Sequence, residues 1–283
     1  MASDKGITLR RIKDYLIKGV VILFAAVSVV PLVLILFYIF KQGVAAINWD
    51  FFTSLPKPVG EEGGGIANAL LGSLMIIFVA AIIAIPFGVS IGIYLSENGE
   101  RLLARNTRLV VDALQGVPSI VIGIIVYIWV VQPMGSFSAL SGSIALAIMM
   151  IPIISRSTEE TLKLIPHSMK EASLALGVPY YKTMLKVIVP SGLSGILSGI
   201  ILSIARITGE TAPLLFTAFG NPFINLNMLK PMHSLPLLIF NYSTSPYDDW
   251  HRLAWGAAFV LMSFVLLLNI ITKIASRKWK VQF

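Results

Sequence analysis

Residues 170–190 read KEASLALGVPYYKTMLKVIVP. Two signals meet in this stretch. Its first part carries small side chains at Ala172, Ser173 and Ala175 and ends on Gly177-Val178-Pro179. That is how a short helix stops, because glycine accepts a left-handed cap and proline cannot continue the helix. From Val187 the composition changes, and the chain runs to Leu215 with few charges. On the upstream side a second apolar run, Ser141–Ile154, closes near Pro152 and Arg156. A short capped helix between two such runs is a loop joining two membrane spans.

The same pattern extends outward along the whole chain. Of its 283 residues 56% are hydrophobic and 13% charged, against about 25% charged in a soluble domain. Six runs are long and apolar enough for spans of about 20 residues: Gly19–Phe40, Ile66–Tyr94, Leu109–Val131, Ser141–Ile154, Val187–Leu215 and Leu253–Ile274. The fourth is short, and its helix can begin nearer Phe137 and pass beyond Arg156. The first exceeds the roughly 7–15 residues of a signal-peptide core, so it reads as a span. Pro86 and Pro118 are kink sites. Ala84, Gly88 and Gly92, four residues apart, are a helix-packing signal. The expected class is all-α, a polytopic membrane protein with six transmembrane helices. Its divisions are an N-terminal segment 1–18, a transmembrane domain 19–274 with a loop at about 155–186, and a tail 275–283.

Charge sets the orientation. Of the 22 Lys and Arg, four (Lys41, Lys57, Lys230, Arg252) lie in one set of loops and Arg206 lies inside a span. The other 17 lie at the termini and in the alternate loops. The positive-inside rule then places both termini in the cytoplasm. The net charge of +8 sits at the ends of apolar runs and not on one face, which argues against a nucleic-acid partner. There are no cysteines, so disulfides and thiolate metal sites are excluded. His233 and His251 are isolated, and no cofactor is called for.

The stretch 170–190 resembles the EAA loop of ABC importer permeases, E-A-A-x3-G-x9-I-x-L-P. Glu171, Ala172, Gly177 and Pro190 match in identity and spacing, while Ser173, Val187 and Val189 are conservative departures. Further stretches resemble the phosphate-importer permeases: Gly63–Ala69, Gly116–Gly123, Ser155–Glu160 and Gly209–Ala218. The last of these points to the PstA-type subunit. The resemblance implies a type I ABC importer permease fold with a cytoplasmic coupling helix. In it Glu171, Ala172, Ser173, Gly177 and Pro179 meet the ATPase. It also implies the partners: a PstC-type permease in a heterodimer, a PstB-type ATP-binding subunit in two copies, an extracytoplasmic PstS-type phosphate-binding protein, and membrane lipid. The chain has no G-x-x-x-x-G-K-[ST] sequence, so the phosphate-cradling ATPase loop belongs to another chain.

Ionisable residues inside spans mark function by default. Arg206 and Glu210 stand four apart, so on a continuous helix they share a face and can pair. The same face carries Ser198, Gly199, Gly195, Ser194 and Ser191, a small, hydroxyl-rich stripe. A guanidinium offers planar bidentate donors to an oxyanion, so Arg206, Glu210 and Ser198 are candidates for a phosphate path, and a structural ion pair is the other reading. The resemblance adds Arg156, which otherwise reads as a snorkelling anchor. Glu159 and Glu160 read as solvated charges. Three other functions stay open: an ABC permease for sulfate, molybdate or phosphonate, a secondary transporter, and an intramembrane enzyme. Neither of the last two requires the EAA-like loop, and no Ser-His-Asp set or paired-His metal site supports an enzyme.

Overall fold

The computed structural model describes residues 4–61 and 63–278, so residues 1–3 of the N-terminal segment and 279–283 of the tail lie outside the described residues. The helices are α1 (Asp4–Val44), α2 (Trp49–Thr53), α3 (Ala67–Glu97), α4 (Leu102–Gly116), α5 (Ser119–Met134) and α6 (Ala139–Lys163). They continue as α7 (His167–Ala175), α8 (Tyr180–Ser191), α9 (Leu193–Ile207), α10 (Ala212–Leu215), α11 (Leu235–Ser243) and α12 (Asp248–Lys278). Among the described residues the β structure is an isolated bridge between Phe219 and Met232. Four helices are long and apolar enough to cross a membrane. The pairs α4–α5 and α8–α9 are each bent, by 105° and 68°, and bring the number to six if each pair is one span.

The core is the α3–α6 pair, and glycine makes it possible. A Cβ on Gly88 would lie 2.8 Å from Ile154 Cβ, and one on Gly92 would lie 2.5 Å from Thr158 Cβ. The two backbones therefore approach along the small-residue row beginning at Ala84, which is wholly buried. Ile76, Ala80, Leu146 and Met150 extend the seam into the main apolar cluster. At the start of α6, its free amide groups are satisfied from a distance. Ser138 Oγ accepts from Ser141 N–H at 3.1 Å, while Ala139 and Leu140 donate to the carbonyls of Lys230 and Met228. The segment 216–234 is thereby tied to the bundle. On the far side α1 meets α12 edge to face through Tyr38–Trp255 (5.0 Å) and Phe40–Phe259 (5.7 Å). From Val20 to Phe37, α1 presents an exposed apolar surface.

Two spans differ from the sequence reading, and the fourth is settled at its longer extent. The third run, Leu109–Val131, is two helices. Val117 and Pro118 are extended (ψ 128° and 136°), because proline drives its predecessor out of the helical region, and Leu109–Gly116 belongs to α4. The fourth run takes the longer form allowed for it: α6 starts at Ala139, passes Pro152 and Arg156, and continues to Lys163, with Arg156 and Glu160 paired four residues apart. The fifth run, Val187–Leu215, bends at Gly192 and stops at Ile207. Pro86, in contrast, lies within an unbroken α3. Pro133 and Pro190 each follow a wide π-turn, Tyr127–Val131 and Met184–Ile188. The wide turn accommodates a ring that would clash with the carbonyl four residues back.

Candidate anion groove and coupling segment

Helices α6 and α9 lie against each other through the small stripe. A Cβ on Gly195 would be 2.3 Å from Thr161 Oγ1, and one on Gly199 would be 2.2 Å from Ser157 Oγ. The glycines of the stripe are thus a packing seam. Its serines turn inward on their own helices: Ser191 Oγ donates to the Val187 carbonyl and Ser198 Oγ to the Ser194 carbonyl, both at 2.7 Å. Ser198 is half-buried and stands outside the lining of the groove described next.

Beside the seam lies an open groove of about 580 Å³, lined by both helices. Arg156 and Ser157 of α6, Arg206 and Leu202 of α9, and Gln115 of α4 line it together with Glu160 and Thr161. Arg156 Nε donates to Glu160 Oε1 at 2.8 Å. Arg206 is exposed, and its guanidinium has no hydrogen bond or ion pair among the described residues. Two guanidiniums therefore share one groove, one of them paired with carboxylates and the other unpaired.

Glu210 does not join them. The helix that would have carried it beside Arg206 ends at Ile207, and Thr208-Gly209 form a turn. Glu210 N–H donates to the Ile207 carbonyl at 3.1 Å. Its carboxylate has no ion pair among the described residues, so the anticipated Arg206–Glu210 pair is absent there. The i, i+4 rule holds only on a continuous helix.

Glu159 corrects the sequence reading most sharply. It is wholly buried, not solvated. Its Oε1 accepts from Arg108 Nη2 at 2.6 Å and Nε at 3.0 Å, and from Lys163 Nζ at 2.5 Å. Arg156 Nη1 stands 3.7 Å from its other oxygen. A buried carboxylate is sustained only by such partners. Glu159–Lys163 is visible in the sequence as an i, i+4 pair, but Arg108 comes from 51 residues away and no local signal announces it.

The expected coupling residues form a helical hairpin. Gly177, at φ +79°, caps α7. Its N–H donates to the Leu174 carbonyl, and Val178 N–H donates to the Ser173 carbonyl, which is the Schellman pattern. Pro179 then opens α8. Ser173 faces inward, its Oγ 2.9 Å from Thr183 Oγ1, so the hairpin is pinned across its arms. Glu171, Ala172 and Gly177 are exposed, and Leu176 is 84% exposed. The inner face rests on a cluster of Leu162, Ile165, Met184, Ile188 and Ile196.

In the 216–234 segment, His233 is 8% exposed and packs on Gly220. Its Nδ1 accepts from Ser234 N–H at 3.2 Å. Burial pushes its pKa down to about 4, so the ring is neutral near pH 7.

Comparison with known proteins identifies relatives of the whole architecture. The family model described as "Binding-protein-dependent transport system inner membrane component" matches residues 84–281. The phosphate transport system permease protein PstA of Yersinia pestis is 43% identical over 250 residues, covering 88% of this chain and 85% of the relative. The protein of the same name from Haemophilus influenzae is 40% identical over 267 residues, 94% of each chain. Among solved structures, a chain of the MetNI methionine ABC transporter superposes with a TM-score of 0.62 at 17% identity, over 76% of this chain and 96% of that one. An amino acid ABC transporter gives 0.56 at 16% identity, over 75% and 93%. These two likenesses are of fold.

Proposed function

This chain belongs to the binding-protein-dependent transport system inner membrane components, within them to the PstA-type phosphate permeases, and from that premise we propose that the Arg156–Arg206 groove is its share of the phosphate path. Membership carries the activity: the chain is a multi-pass inner-membrane permease subunit of a phosphate ABC importer. The observation that carries the path is the meeting of two guanidiniums from different helices in one open groove, with Arg206 unpaired. Guanidiniums bind phosphate oxygens bidentately, and Gln115, Ser157 and Thr161 supply neutral polar groups beside them. Glu160 on Arg156 keeps the site from being too attractive. A conduit must bind its ion well enough to admit it and weakly enough to release it. Glu210, in the turn beyond Arg206, and Ser198, in the adjoining seam, stand near this path as secondary candidates.

The groove is open on one side, and we assign that side to a second, PstC-type permease. An importer of this family works with a further permease and with ATPase subunits. The finer assignments are a PstB-type ATPase, two copies in the complex and one of them on the α7–α8 hairpin (within the loop expected at 155–186 of the domain 19–274), and a PstS-type binding protein at the other face. The strong basic asymmetry of the loops supports both termini, the segment 1–18 and the tail 275–283, on the cytoplasmic side. This chain has no cysteine, so a cysteine placed in the groove can be followed on this subunit alone. A Leu202→Cys variant of the assembled complex is treated with an anionic thiol reagent. Phosphate should slow its modification, and an equal rate with and without phosphate would count against the path.

A further inference from the structure

At the end of α3, one carboxylate holds both arms of the hairpin. Glu97 accepts from Lys170 of α7 and from the Tyr180 hydroxyl that opens α8. Lys170 Nζ also stands 5.0 Å from the centre of the Tyr180 ring, so the three groups form a closed set. Lys170 and Glu97 are largely covered, with side chains 25% and 15% exposed. Below them, Val89 and Ile93 of α3 pack on the apolar cluster beneath the hairpin. The hairpin thus has two attachments to the last turns of α3, one ionic and one apolar.

The other side of those same turns is the seam with α6. Gly92 lies five residues before Glu97, about 7.5 Å along the axis. A Cβ there would strike Thr158 and the Ser155 carbonyl, which bracket Arg156 in the sequence. A close-packed contact of that kind transmits displacement instead of absorbing it. An unbroken helix therefore joins the hairpin at Glu97 to the wall of the groove at Arg156.

We propose that Glu97 is the transmission residue of this permease, converting movement of the ATPase-bound hairpin into movement of α3 and α6 at the anion groove. It is a positioning residue and touches no substrate. The inference rests on the reading that the hairpin docks the ATPase. It adds that the docked hairpin drives the bundle through the Lys170–Glu97–Tyr180 set.

The test uses the full complex reconstituted in liposomes with its binding protein, measuring phosphate delivered per ATP hydrolysed and ATPase co-purification. With Glu97→Ala the ATPase stays bound and ATP is still hydrolysed. Phosphate delivered per ATP falls at least about fivefold, the lower end of a typical coupling between distant sites. The exchange Glu97→Lys with Lys170→Glu keeps an ion pair at the same place and restores the ratio. A wild-type ratio in Glu97→Ala overturns the inference, and so does an exchange variant that is no better than Glu97→Ala. Loss of the ATPase from Glu97→Ala also overturns it, because Glu97 would then serve docking. The docking reading has its own readout, since Leu176→Asp lies on the exposed face away from Glu97. If that variant binds the ATPase normally, docking at the hairpin is wrong and the transmission claim falls with it.

Discussion

Arg108 Nη2 lies 2.6 Å from Glu159 Oε1, joining α4 to α6 through a carboxylate that no solvent reaches. Lys163 shares the same oxygen. Stranding a fully buried charge typically costs about 3–5 kcal/mol, but removing the carboxylate leaves Arg108 and Lys163, whose side chains are 24% and 47% exposed, so water compensates them in part and the cost is smaller. Glu159→Ala should still lower the unfolding temperature of the purified complex. Replacing both members, Arg108→Met with Glu159→Leu, should be markedly less damaging than Glu159→Ala. Thermal unfolding in detergent, compared across the variants, checks the order.

The α6–α9 seam predicts a reciprocal substitution. Gly199→Ala puts a methyl within 2.3 Å of Ser157 Cβ, an overpacking that costs about 1–3 kcal/mol. Ser157→Gly in the same chain clears that space, so the double variant should recover most of the lost stability. Equal stabilities for Gly199→Ala and the double variant would mean that the helices are not in contact there.

His233 predicts a pH dependence. Its pKa falls from an ordinary value of about 6.5 to about 4 in the fold. The unfolded chain therefore takes up the proton first as pH drops. The stability due to the neutral, buried ring is fully present above about pH 6.5 and is lost progressively down to about pH 4, a change of up to about 3 kcal/mol. His233→Gln should flatten the unfolding-temperature profile across that window. An unchanged profile would contradict the assignment.

The parts of this structure legible in the sequence are those fixed by local chemistry. Ala84, Gly88 and Gly92 announced a close helix contact, and α6 fills it with Ile154 and Thr158. Gly177 announced a helix end and takes the left-handed conformation that ends it. The end of α9 was equally local: Gly209 and Pro213 are stop signals, but apolar content carried the expected span past them to Leu215. The supposed Arg206–Glu210 pair came from that overrun. The 105° break at Val117-Pro118 had its proline in view, but hydropathy does not distinguish a kinked span from two helices. Other features were not local at all. Arg108 reaches Glu159 across 51 residues, and Arg156 and Arg206 line one groove because two glycines let α6 and α9 approach.

The measurement that bears most directly on the anion path is the initial rate of ATP-driven phosphate uptake by the reconstituted complex carrying Arg206→Gln. The Arg206 guanidinium holds no partner among the described residues. Unlike the Glu159 variant, this one should assemble and unfold like the parent. Uptake should nevertheless fall by about 10- to 100-fold, the worth of one charge-assisted hydrogen bond of roughly 1.5–3 kcal/mol. A fully assembled Arg206→Gln complex that takes up phosphate at the parent rate would contradict the account and place the path elsewhere.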